Sequence, residues 1–122
     1  MKKILLLTLL VSQFIFSQTT ISGAITSDSN WSLADSPYIL TGSVLVPDGI
    51  TLTIEAGVTV KFNSGLYLKI QGSLIAIGNE SNKITFTSNE TSPSKGDWDK
   101  IWLASTSTSF DESDNYVSGT IF

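Results

Sequence analysis

The chain has 122 residues, with seven lysines and no arginine against eleven acidic residues, and it contains no histidine and no cysteine. One domain's worth of length permits a single modest core. Without histidine and cysteine the Ser-His-Asp and Cys-His nucleophile systems, ordinary zinc, haem or iron–sulfur ligation, and disulfides are all excluded. What remains is carboxylate, lysine, tyrosine or calcium chemistry, or no chemistry, and no cofactor is expected.

The first segment reads as an export signal. Lys2 and Lys3 precede an apolar run from Ile4 to Val11, extended by Phe14, Ile15 and Phe16, and small or polar residues follow from Ser17 to Thr20. A charged start, a short apolar stretch and a small-residue cleavage point make residues 1–17 a signal peptide. The run is shorter than the roughly 20 apolar residues a membrane span needs. The mature chain is therefore expected to be secreted or displayed on the outer cell surface, with no membrane insertion after cleavage. It keeps five lysines against eleven acids, a balance that repels nucleic acid and anionic lipid.

Residues 18–41 read as an N-terminal cap, in which Thr20–Ile25 and the segment around Trp31 and Tyr38 cover the top of the first coil. Beyond the cap the chain alternates with period two. Ile50, Leu52 and Ile54 alternate with Thr51, Thr53 and Glu55; Val58, Val60 and Phe62 with Thr59 and Lys61; Leu66, Leu68 and Ile70 with Tyr67 and Lys69. This predicts short half-buried strands. Glycines punctuate them at 42, 49, 57, 65, 72 and 78. Any three consecutive glycine intervals sum to between 21 and 23 residues, which suits a solenoid of three strands and three corners per coil.

Written as coils, the chain stacks apolar on apolar. Val44 and Val46 fall over Leu66, Leu68 and Ile70 on a first arm, Leu52 and Ile54 over Leu74 and Ala76 on a second, and Val58, Val60 and Phe62 over Ile84 and Phe86 on a third. Asn79–Asn82 is expected as an inserted corner loop. After a loop from Ser88 to Asp97, Ile101 and Leu103 resume the first arm, residues 104–115 are irregular, and Tyr116–Phe122 form a further strand.

The run from Trp31 through Gly42, then Val44 to Phe62, then Gly72-Ser73-Leu74-Ile75-Ala76-Ile77-Gly78 and Lys83-Ile84-Thr85-Phe86, resembles the N-terminal coils of secreted right-handed parallel β-helix repeat proteins of Bacteroidetes, which are pectate-lyase-like. Trp98-Asp99-Lys100-Ile101 is similar to that family's W-G-G-I step with both glycines replaced. The resemblance covers about residues 31–103. It implies an all-β, right-handed, three-sided parallel β-helix over residues 42–122, of about two and a half to three coils and incomplete at its C-terminus. Solenoids need about three repeats plus caps to stand alone, so downstream coils or a partner chain are expected at the open C-terminal end.

Such folds host lyases, glycosidases and adhesins alike, and architecture does not choose among them. Asp97 and Asp99 flank Trp98, and Asp111, Glu112 and Asp114 crowd one stretch, but their spacing fits a solvated acidic loop better than a calcium or acid–base site. Family lyases pair calcium-binding carboxylates with an Arg or Lys base, and this chain has no arginine. Thr51/Thr53 and Thr85/Thr87 fall on different arms and form no ladder. Neither a catalytic set nor a metal site is expected within these residues.

One surface feature points to a ligand. Leu45, Tyr67 and Trp102 are outward positions on the first arm, expected to line up in a column about 4.8 Å per step, and exposed aromatic platforms stack on sugar rings. The competing expectation is that the Ser88–Asp97 loop folds over this column. The reading is a β-helix module with a structural or adhesive role at the cell surface and polysaccharide or surface glycan as candidate ligand. Its alternative is the N-terminal fragment of a polysaccharide lyase or glycoside hydrolase whose catalytic residues lie beyond residue 122.

Overall fold

The computed structural model describes residues 17–104, 108–110, 112–113 and 115–122; the signal-peptide reading thus falls outside the described residues apart from Ser17. Short strands succeed one another in chain order: β1 (Thr19–Ala24), β2 (Ser29–Trp31), β3 (Tyr38–Val46), β4 (Thr51–Ile54), β5 (Thr59–Phe62), β6 (Tyr67–Ile70), β7 (Ser73–Ala76), β8 (Thr85–Ser88), β9 (Lys100–Leu103), β10 (Ser109–Phe110) and β11 (Tyr116–Ser118). All ladders are parallel except the β10–β11 hairpin, which is antiparallel. Parallel neighbours about twenty residues apart require a crossover on every return, and here each crossover is another strand of the same coil. The result is a three-sided parallel β-solenoid of about three turns.

The first face carries the second half of β3, then β6 and β9; the second carries β2, β4 and β7; the third carries the first half of β3, then β5 and β8. Strand β1 adds a rung on top: Thr19–Ile21 pair with Tyr38–Leu40 on the third face, and Gly23 and Ala24 with Val44 and Leu45 on the first. Residues 18–41 therefore cover the stack by continuing its ladders. At the other end Ile121 bridges to Ile75, adding a last contact to the second face.

Inward residues stack in columns: Val44, Leu68 and Ile101; Val46, Ile70 and Leu103; Leu52 and Leu74; Trp31, Ile54 and Ala76; Tyr38, Val60 and Phe86. The strictly alternating burial of β4, β5, β6 and β7 is what period two produces when one side of each strand faces a shared interior. Trp31 and Tyr38 are buried and stacked, ring centroids 4.9 Å apart, and close the top of this core.

Corners interrupt the ladder, and there side chains take over the backbone's hydrogen bonds. Amides of Thr51, Thr59, Tyr67 and Leu74 donate to Asp28 Oδ1, Ser36 Oγ, Ser43 Oγ and Thr120 Oγ1, at 2.8, 3.0, 3.2 and 3.0 Å. Glu55 accepts from Asn30 Nδ2 and from the Leu33 amide, both at 2.9 Å, tying two rungs at another corner. These two bonds, the Asn30 one first, hold its carboxyl below the usual range. Gly42 departs from its expected role: β3 runs straight through it and spans two faces, whereas Gly49 has the left-handed φ of 80° that a tight corner demands.

Candidate functional site

On the first face, alternation turns Leu45, Tyr67, Lys69, Lys100 and Trp102 outward. Their inward neighbours Val44, Leu68 and Ile101 set the register, and this pairs Leu45 with Lys69 and Lys69 with Trp102, while Tyr67 pairs with Lys100. The expected column of Leu45, Tyr67 and Trp102 is thus split between two adjacent columns, and a lysine stands between the two apolar members. Counting from the glycine corners aligns Tyr67 with Leu45. The Val44–Leu68 core stack, itself readable in the sequence, aligns Lys69 there instead.

The lysine changes the chemistry of the face. Lys69 Nζ sits 4.2 Å from the Trp102 ring centroid and Lys100 Nζ 5.5 Å from it, two cation–π contacts worth roughly 0.5–1 kcal/mol each at an exposed site. Trp102 remains 45% exposed, whereas Leu45 and Tyr67 are half-buried. Lys100 also lies 3.4 Å from Asp99, but both ends of that pair are about half exposed, so it contributes little. An acidic protein therefore presents one rigid sheet face on which two ammonium groups, a tyrosine and an indole converge.

The Ser88–Asp97 loop does not supply the expected cover. It closes on itself at the corner between the third and first faces, where Asp97 Oδ2 accepts from the Ser94 amide and from Ser88 Oγ, both at 2.7 Å. These bonds, the Ser94 amide first, hold the Asp97 carboxyl below its usual value. The adjoining Trp98 stacks on the buried Phe62 with centroids 4.2 Å apart. Trp98 and Trp102, four residues apart, thus divide the work: one rivets the corner to the core and the other faces outward.

The remaining carboxylates do structural work or lie apart. Asp97 clamps a loop, Asp99 meets Lys100, and Asp111 and Asp114 lie outside the described residues. Among the described residues no group of three His, Cys, Asp or Glu side chains is placed to hold a metal ion, and no helix is long and apolar enough to cross a membrane. An apolar hollow of about 340 Å³ opens beneath the last rung, lined by Leu74, Phe86, Ile101, Leu103 and Phe122.

A solenoid of parallel strands with stacked aliphatic columns defines the class, and comparison with known proteins gives the family. The chain belongs to the pectate-lyase-like β-helix domain family, whose model matches residues 23–118. It is also similar to the Drosophila melanogaster protein named Protein bark beetle, with 39% identity over 66 residues; the match spans 54% of this chain and 2% of that protein. No solved structure matches the chain.

Proposed function

We propose that this is a secreted or cell-surface β-helix module with a structural and adhesive role, and that its first face binds carbohydrate through Trp102, Tyr67 and Leu45, joined by Lys69 and Lys100. The observation that carries this reading is the exposed Trp102 ring held between two lysines on a rigid sheet. The indole offers an apolar face to a sugar ring and the ammonium groups donate hydrogen bonds to its oxygens. Two positive charges favour glycans bearing carboxylate or sulfate groups. The charged and apolar N-terminal segment supports export.

Affinity electrophoresis against neutral and acidic polysaccharides tests it. Acidic glycans should retard the protein, less so as salt rises, and Trp102→Ala should weaken binding about tenfold, a loss of roughly 1.4 kcal/mol. Unchanged retardation in a Trp102→Ala, Tyr67→Ala double variant would remove the site. Family membership also supports a second reading, a lyase or hydrolase with catalytic residues beyond residue 122. Release of unsaturated or reducing ends from the same polysaccharides by a longer chain would favour it.

A further inference from the structure

The two ends of the solenoid differ. At the top, the outermost strand β1 and its continuation present Thr20, Ser22, Ala24, Thr26, Ser27 and Ser29 around a shallow polar depression. At the bottom, Phe86, Ile101 and Leu103 surround the apolar hollow, Leu103 being 38% exposed. The same end carries two strands with a free edge: among the described residues β8 pairs only with β5, and β9 only with β6. An apolar patch bordered by unpaired strand edges is a template for further pairing. A polar top cannot satisfy an apolar bottom, so a head-to-tail filament is disfavoured and only bottom against bottom matches like with like.

We infer that two copies of this chain associate bottom to bottom about a two-fold axis, pairing β9 with its counterpart in antiparallel fashion. Three-sided symmetry makes the geometry specific. The corner between the second and third faces lies opposite the first face, so an in-plane axis through that corner crosses the middle of β9 at right angles to its sheet. A two-fold perpendicular to a sheet reverses strand direction and keeps outward side chains outward. Ile101 and Leu103 of both copies then face the joint interior and fill the hollow.

The axis also sets that corner against itself. The Asn79–Asn82 loop is held by its own hydrogen bonds, with the Ser81 and Asn82 amides donating to Asn79 Oδ1 at 3.0 and 2.8 Å. Beside an apolar recess shared with Phe86 this corner carries Glu80 and Lys83. Opposite charges on one self-facing corner are complementary under a two-fold: each Glu80 meets the other copy's Lys83, twice over. This is the isologous arrangement most oligomers use. Joined through β9, the two first faces become one sheet with a Trp102 and two lysines on each side of the seam, which makes the carbohydrate face bivalent and raises avidity. That consequence rests on the proposed function; the dimer itself does not.

The experiment needs no glycan. Sedimentation of the full processed chain at up to about 100 µM, a range that covers weak interfaces of standard size, should show a monomer–dimer equilibrium. Leu103→Lys should abolish the dimer while leaving the far-ultraviolet circular dichroism unchanged. Because a core-edge change can disturb folding, exposed charges provide a second test: Glu80→Lys and Lys83→Glu should each weaken the dimer, and the double reversal should restore it. The chain has no cysteine, so single introduced thiols report geometry cleanly. Ser81→Cys should oxidise to a disulfide-linked dimer and Thr20→Cys should not. A monomer at every concentration, larger head-to-tail species, no rescue by the double reversal, or equal cross-linking from both ends would each overturn the proposal.

Discussion

Gly72 and Gly49 are corner glycines of the same solenoid, and substituting alanine at each should fail for different reasons and by different amounts. At Gly72 an added Cβ would lie closer than 3.0 Å to two backbone oxygens, the carbonyls of Ile50 and Pro47. Neither is a flexible side chain that can swing away, so the two rungs must separate at that corner. The bonds at stake are those from the Gln71 and Gly72 amides to the Val46 carbonyl, at 2.8 and 3.1 Å, and from the Ser73 amide to the Ile50 carbonyl at 2.9 Å. At roughly 0.5–1.5 kcal/mol each, their loss amounts to about 2–4 kcal/mol, a large part of a typical total of about 5–15 kcal/mol. At Gly49 the added Cβ meets nothing within 4 Å, but φ is 80°, and the left-handed conformation alone costs an alanine about 1–2 kcal/mol. Gly49→Asn should cost less than Gly49→Ala, because asparagine tolerates that region. Urea titrations followed by circular dichroism and tryptophan fluorescence would give the three midpoints. If Gly72→Ala were no worse than Gly49→Ala, the close rung-to-rung approach assigned to Gly72 would be wrong.

The core and the corners give two further expected outcomes. Leu68 is fully buried between Val44 and Ile101, and Leu68→Ala should cost about 2–5 kcal/mol, the range for a leucine cavity, visible as a lowered thermal midpoint. The carboxyls of Glu55 and Asp97 are held below their usual range, so the stability they contribute is present above about pH 4, the unfolded carboxylate range, and is lost as pH falls through their folded values. Asp97→Asn should therefore lower the urea midpoint at pH 7 and flatten its fall towards pH 3; an acid profile parallel to the wild type would show that the Ser88–Asp97–Ser94 clamp adds nothing.

Much of this architecture is legible in residue order, because period-two alternation and recurring glycines are local signals. Alternation identifies which side of each strand is apolar, and coil-length spacing brings Val44 over Leu68, Leu52 over Leu74 and Val60 over Phe86. The outward face is harder to read. Its polar positions tolerate many residues, so they carry little information about register, and an offset of two residues preserves the alternation while exchanging Tyr67 for Lys69 beside Leu45.

Composition and order by themselves determined the absence of histidine and cysteine chemistry, the strand-and-corner rhythm and the identity of the core columns, since each depends on residue type or near-neighbour spacing. Tertiary structure alone decided that β1 continues the ladders, that Trp98 rivets a corner while Trp102 faces outward, and that two lysines converge on one indole. Those facts depend on where successive coils lie over one another. That placement is set by the simultaneous packing of inward side chains across rungs some twenty residues apart, which no single window of sequence contains.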